Sequence, residues 1–381
     1  MPDTLPVASD TPLQPGEPPR EPEDKLALCL SGGGYRAMLF HLGTLCYLND
    51  AGYLPKLDRV SSVSGGSITA GVLAFHWKEL QFDAAGKAGN FGAVVADPVR
   101  RMASTTIDVG GVLGGIFTPG VTINDRIIKS YKKVLFGDAT LQELADRPRF
   151  VINATNVQTG SVFRFSKPYI ADYRIGMVEN PRRSIAEAVA ASSAFPPVLS
   201  PARLTFKHSE WTKLNAACGR EPFTTKVVLT DGGVYDNMGI ETAWKRCKRV
   251  LVSDGGGKYQ PEADQHSDAV RHSLRVNATI DNQVRSLRKR WIVEAFDRKD
   301  HLGAYWGMWT DPASYKATSA LKIDGKRAHE LAETSTRLAE LPKATQNRII
   351  NFGYGMAERA IRSYYDAAAL PATAFPYADG V

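Results

Sequence analysis

The chain has 381 residues, 43% of them hydrophobic and 23% charged, which allows one large domain or two ordinary ones and argues against a mostly disordered polypeptide. Its net charge of +7 is modest for this length; it permits contact with anionic lipid, nucleotide or acidic substrate and demonstrates none of them. Cys29, Cys46, Cys218 and Cys247 form no CxxC pair, so neither a zinc site nor a disulfide framework is indicated, and buried thiols in a reducing compartment are expected.

Residues 1–24 are acidic and rich in proline, with no basic start followed by an apolar stretch. They read as a disordered arm, not a secretory signal. Residues 26–30 (LALCL) form a short apolar run ending at Ser31-Gly-Gly-Gly, the pattern of a buried strand entering a tight turn. Apolar positions 38, 39, 42, 45 and 48 then predict a helix over 35–50. A strand at 59–63, a Ser64-Gly65-Gly66 turn and a helix over 67–80 repeat the unit. This alternation predicts an α/β fold with a mainly parallel central sheet flanked by helices. Residues 86–146 read as loops and short helices, and 109–123, apolar but broken by glycine and proline, as either a lid or a core segment. That stretch is too short to span a bilayer, which takes about 20 apolar residues. A hairpin is expected from 149–153 and 161–165, a helix from 185–193, and buried strands from 226–229 and 249–252, each running into Asp-Gly-Gly. The last third reads as helical, with apolar stripes through Val270, Leu274, Val284, Leu287 and Trp291 and through Ile349, Phe352, Met356 and Ala360. The expected organisation is the arm, a catalytic α/β part over 25–260, and a mostly helical part over 261–381 packed on the same domain.

Three glycine turns follow strands, where ligands collect in open α/β sheets. In Gly32-Gly33-Gly34-Tyr35-Arg36, backbone N–H groups at a helix start can hold a phosphate or the oxyanion of acyl transfer. The phosphate reading lacks an acidic residue ending the second strand, since Asp58 precedes it. In Val63-Ser64-Gly65-Gly66, the serine between strand and helix has the layout of a nucleophile elbow, with helix N-cap as the alternative. Asp231-Gly232-Gly233 offers a base for such a serine, and Asp254-Gly255-Gly256 is a rival that spacing cannot separate from it.

Taken together these motifs resemble the patatin-like phospholipase family, in which a glycine-rich loop ending in Arg precedes a G-x-S-x-G elbow and a later Asp-Gly-Gly/Ala. The segment 191–197 (ASSAFPP) and the run 231–239 (DGGVYDNMG) share the likeness, which ranks Asp231 above Asp254. Ser62 stands where the elbow has its first glycine, and Ala37 where a glycine is common. The resemblance implies a Ser64–Asp231 dyad without histidine, an oxyanion hole from Gly32, Gly33 and Gly34, and supporting roles for Arg36, Gly65, Gly66, Gly232 and Gly233. It implies no metal and no cofactor. Arg36 has three readings: holding the glycine loop, contacting a lipid phosphate, or lying on the surface at a helix start. His41 and His76 sit on the helices after the first two turns and are expected to be structural.

The expected activity is cleavage of fatty-acyl esters of phospholipids or related lipids by a cytoplasmic enzyme, peripheral at the inner membrane surface, with no nucleic-acid partner. Two other classes stay open: a nucleotide-binding or nucleotide-gated protein, and a catalytically silent lipid-binding scaffold. Related bacterial phospholipases include effectors switched on by a nucleotide signal in antiphage defence, so a small regulatory ligand is a further expectation.

Overall fold

The structure, a computed structural model, describes residues 21–107, 122–265 and 268–381. Most of the amino-terminal arm lies outside those residues. So does the stretch 109–123 read as a lid or core segment, apart from its last two positions.

Strands β1 (Glu23–Leu30), β2 (Arg59–Val63) and β3 (Arg149–Asn156) join β10 (Cys247–Asp254) and β11 (Leu302–Gly307) in the parallel order β11-β10-β1-β2-β3. The inner strands are buried on both faces, β1 through its apolar run 26–30 and β2 with Ser61 and Ser62 among its buried residues, as a sheet covered by helices on both sides requires. Beyond β3 the sheet turns antiparallel through β4 (Ser161–Phe165), β5 (Tyr169–Asp172), β6 (Gly176–Glu179) and β8 (Trp211–Thr212). The expected hairpin is β3–β4, with β3 three residues longer than its apolar pattern suggests. A further pair, β7 (Ala202–Thr205) and β9 (Lys226–Asp231), attaches to β3 through β9, also antiparallel.

Helices α1 (Gly34–Asp50) and α2 (Gly65–His76) follow β1 and β2 directly. Further along the chain come α3 (Asp97–Ala103), α4 (Ile123–Tyr131), α5 (Ile185–Ser192), α6 (Gly233–Asp236), α7 (Glu241–Trp244), α8 (Ala269–Asp297), α9 (Gly325–Ala332) and α10 (Lys343–Ala360). The stripe of Ile349, Phe352, Met356 and Ala360 on α10 is fully buried. Helix α10 crosses α1 at very short range: a Cβ at Gly43 would overlap the Ile350 carbonyl, and one at Gly353 the Phe40 carbonyl.

The structure differs from the sequence reading in three places. The first strand begins at Glu23, and Asp24 within it pairs with Arg249 at 2.6 Å. The carboxy-terminal third is not only helical, because β11 extends the parallel sheet next to β10. Helix α8 is built the opposite way from the usual amphipathic helix, since its apolar stripe is exposed and most of its cations face the protein.

Candidate active site

Ser64 follows the last residue of β2, at the point where the chain turns into α2. Its φ is 53°, a region a non-glycine residue occupies only when the surroundings impose it, at about 1–3 kcal/mol. The turn is crowded by backbone: a Cβ at Gly65 would overlap the Gly34 carbonyl, and one at Gly66 would lie 2.5 Å from the Leu30 oxygen. Although Ser64 occupies the cap position of α2, its side chain makes no capping hydrogen bond. The strained backbone thus goes with a hydroxyl that does not cap its helix.

Strand β3 brings Asp231 to this serine. Val63 pairs with Asn153 in the parallel β2–β3 ladder, while Ala154 pairs with Asp231 in the antiparallel β3–β9 ladder. Strand β4 pairs with both Asn153 and Ala154 from the other side, so β2 and β9 share one edge of β3. They run toward each other along it and end at consecutive β3 residues, a step of about 3.3 Å. The following turn is tight; a Cβ at Gly232 would overlap the Asn153 carbonyl, and one at Gly233 would sit 3.0 Å from Asp231 Oδ1.

Asp231 is 1% exposed. Burial raises its pKa to about 6, against the opposing influence of the Ser64 hydroxyl and the Gly233 N–H. That N–H donates to Oδ1 at 2.7 Å. Oδ2 is buried without a partner at ordinary hydrogen-bond geometry. The Ser64 hydroxyl lowers the carboxylate's pKa without forming a hydrogen bond of ordinary geometry to Oδ2. A carboxylate in this state can take a proton near neutral pH.

The rival Asp254 is equally buried and fully occupied. Tyr305 donates to Oδ2 at 2.8 Å, the Gly256 N–H donates to Oδ1 at 2.9 Å, and Arg285 lies 3.5 Å away. Burial would raise its pKa, but Arg285 and these donors hold it below the ordinary value. Asp254 is an anchored anion, unsuited to accept a proton.

The glycine loop lies beside the serine. A Cβ at Gly32 would come within 3.1 Å of Ser64 Cβ and 2.5 Å of Asn237 Oδ1. The Gly32 N–H already donates to the Asn237 carbonyl at 2.9 Å, which corrects the reading of Gly32 as an oxyanion donor. Gly33 and Gly34, at φ 142° and 59°, open α1, where the first N–H groups of a helix have no carbonyl four residues back. Those N–H groups remain the loop's candidates for a ligand oxygen.

Arg36 is 3% exposed, which excludes the surface reading. Its guanidinium donates to the Ala332 carbonyl at 2.5 Å, Thr334 at 3.0 Å and Gly255 at 3.1 Å, and burial lowers its pKa to about 10. These bonds strap the segment after α9 across the glycine loop, where a Cβ at Gly34 would overlap the Thr336 carbonyl. Arg36 holds the loop. His41 is buried between the Ser31 carbonyl and Ser253 Oγ, both 2.9 Å away, with its pKa lowered to about 4 by burial; His76 pairs with Glu79 at 3.0 Å. Both are structural. Among the described residues no cluster of three or more His, Cys, Asp or Glu is arranged to hold a metal ion, and no helix is long and apolar enough to cross a membrane.

The sequence model of the patatin-like phospholipase family matches residues 28–244. The chain belongs to this family. It is 30% identical over 214 residues to the triacylglycerol lipase ptl3 of Schizosaccharomyces pombe, a match covering 56% of this chain and 40% of that one. The chain thus spans about two fifths of the length of this curated relative. Among solved structures it is similar to VipD from Legionella pneumophila, with 19% identity, 88% of this chain and 66% of that chain covered, and a TM-score of 0.36. It is also similar to human GIVD cytosolic phospholipase A2, with 12% identity, 63% and 49% covered, and a TM-score of 0.38.

Both departures from the patatin-like pattern have physical counterparts. The Ser62 hydroxyl accepts from Ser67 Oγ at 3.0 Å beneath the elbow. The Ala37 methyl faces Gly255, where a Cβ would lie 2.6 Å from it. Two residues at the site carried no role in the sequence reading. Ser192 Oγ accepts the Ser64 N–H at 2.9 Å and donates to the Asn153 carbonyl at 2.6 Å, while its own carbonyl accepts the Gly232 N–H at 3.2 Å. One residue thereby ties the serine's backbone to the turn after Asp231. Asn153 in turn donates from Nδ2 to Ser61 Oγ and the Ser62 carbonyl, both at 3.0 Å. The segment 191–197 pointed toward Ser192 but not to its partners; Asn153, inside a strand, left no signal.

Proposed function

We propose that this chain hydrolyses fatty-acyl esters of phospholipids or related lipids through a Ser64–Asp231 dyad. The observation that carries this reading is the meeting of β2 and β9 on one edge of β3, which sets a strained serine beside a buried carboxylate of raised pKa.

In the first half-reaction Ser64 Oγ attacks the ester carbonyl carbon and its proton passes to Asp231. The oxyanion develops against the Gly33 and Gly34 N–H groups, which act without reorganising and are worth on the order of 100-fold in rate. Collapse breaks the acyl–oxygen bond, and Asp231 returns the proton to the departing alcohol. Water then attacks the acyl-serine with Asp231 again taking the proton, and as the acyl–Oγ bond breaks Asp231 returns that proton to Ser64 Oγ and the fatty acid is released. Gly32, Gly65, Gly66, Gly232 and Gly233 support this centre by letting backbones approach, and Arg36 by bracing the loop. A lipid ester is encountered at a membrane surface, so peripheral association belongs to the same proposal.

The phosphate reading of the glycine loop finds less support. The Gly32 N–H is engaged by the Asn237 carbonyl, which leaves the loop fewer donors than the several oxygens of a phosphate call for. The deciding comparison is ester release from lipid micelles by wild type, Ser64→Ala and Asp231→Asn. Turnover is expected only in the first, together with labelling of Ser64 by a fluorophosphonate; undiminished turnover in Ser64→Ala would overturn the assignment.

A further inference from the structure

Helix α8 runs for 29 residues, about 43 Å, with only Ile292 and Ala295 buried. Its polarity is inverted. Arg285 donates to the Gly257 carbonyl and faces Asp254, Arg288 lies 3.6 Å from Asp236 and 3.7 Å from Glu241, and Arg275 stacks 3.9 Å from the Tyr259 ring while donating to the Gln260 carbonyl at 2.7 Å. The cations fasten the helix to the body. Another side carries Val276, Ile280, Val284, Leu287 and Trp291, spaced at four, four, three and four residues, with the Trp291 ring at the stripe's end packed 4.6 Å from that of Trp244 on the body. They form one stripe, and each is between 38% and 53% exposed. An apolar stripe of this length left in water marks an interaction surface.

Its location indicates what covers it. Helix α8 borders the Ser64 site: Arg288 reaches the Tyr235 carbonyl at 3.3 Å, Arg285 packs where a Gly256 Cβ would stand, and Asp281 is near enough to Asp231 to influence its titration. Exposed Val234 follows Asp231 by three residues. Exposed Phe195 and Val198 follow Ala194, whose carbonyl accepts the Asp231 N–H at 2.9 Å. Exposed apolar side chains therefore lie both on α8 and at the rim of the site it borders. A second protein seated on both would close the site, whereas a bilayer would present acyl esters to it. The charge left outward agrees: Arg271 and Arg290 stay exposed on α8, in a chain of net charge +7.

We propose that the outward stripe of α8, together with Phe195, Val198 and Val234, is the surface by which this protein docks on an anionic lipid bilayer. The stripe lies in the plane of the interface, as apolar helix faces do at the headgroup and acyl boundary, with Trp291 at the polar level. This rests on reading the Ser64 site as a lipid acyl hydrolase, but docking can be measured without turnover.

The test uses the full chain carrying Ser64→Ala, sedimented with vesicles of phosphatidylcholine and phosphatidylglycerol at equal parts, or of phosphatidylcholine alone. Binding is expected to the mixed vesicles, at least tenfold weaker to the neutral ones. Adding Ile280→Glu and Leu287→Glu should weaken it tenfold or more while the thermal midpoint stays within about 2 °C. The vesicle-induced blue shift in tryptophan emission should be lost with Trp291→Phe. Absent binding, or binding unchanged by the two glutamates, overturns the proposal. So does a dimer, seen by light scattering, that the same pair converts to a monomer. A protein that binds the vesicles yet hydrolyses nothing with Ser64 restored overturns the catalytic reading and leaves the docking surface standing.

Discussion

Asp231 and Asp254 each end a strand, each precede two glycines and are each buried, yet they sit in opposite electrostatic states. Strand β10 lies inside the parallel sheet and delivers Asp254 to Arg285, Tyr305 and the Gly256 N–H, which together neutralise it. Strand β9 enters antiparallel at the end of β2 and delivers Asp231 to a place where, among the described residues, the Gly233 N–H and a nearby hydroxyl act on it and no cation does. The difference shows that a motif of three residues does not define a base. What defines it is how much of the carboxylate's charge the neighbours have already answered.

The largest expected effect separates the two acids. Asp231→Asn should lower turnover by about a thousandfold or more, while Asp254→Asn should lower it far less, per folded molecule, and instead destabilise the fold by about 3 kcal/mol by leaving Arg285 without its counter-charge. Denaturant melts and active-site titration of both variants would measure this. Equal losses of turnover would erase the distinction. Next comes the glycine loop. Gly34→Ala places a methyl on the Thr336 carbonyl at a backbone φ of 59°, and kcat should fall about a hundredfold, in line with loss of an oxyanion donor.

The pH dependence sharpens the comparison. Since burial raises the Asp231 pKa from 3.8 to about 6, the acid limb of kcat/KM should rise through about pH 6, and Asp254 should leave no such limb. The same shift has a stability sign. The folded state holds this proton more tightly than the unfolded chain, so stability falls as pH rises from about 4 to 6 and stays lower above that. Asp231→Asn should therefore gain about 3 kcal/mol over wild type at pH 8, the equivalent of a shift of two pKa units, and almost nothing at pH 4. The smallest expected effect is at Ser192. Ser192→Ala removes the acceptor of the Ser64 N–H and the donor to Asn153, so kcat should drop about tenfold with KM unchanged. A rise in KM alone would mean that Ser192 shapes the substrate pocket instead of positioning the serine.

The glycine turns, the strands before them and the helices after them were legible because each is a local pattern: an apolar run, a backbone that must bend, an apolar period. Arg36 was visible as a residue but not as a strap, since its partners at 332 and 334 are some 300 residues away in sequence. Ser192 and Asn153 were hidden for the same reason: a hydrogen bond to a distant backbone leaves no trace in spacing. Helix α8 shows the reverse failure. Its period was readable, but its orientation was not, because amphipathy alone does not say which face meets the protein.

Sequence alone therefore determined the α/β class and the elbow layout at Ser64, since strand, turn and helix preferences act over a few residues, and it ranked Asp231 above Asp254 only through the family resemblance of the run 231–239. Tertiary structure decided which acid meets a cation, which glycine N–H is already taken by a carbonyl, and which side of α8 faces outward. Those outcomes depend on where separate strands end against one another, and on whether a buried charge meets a partner when they do.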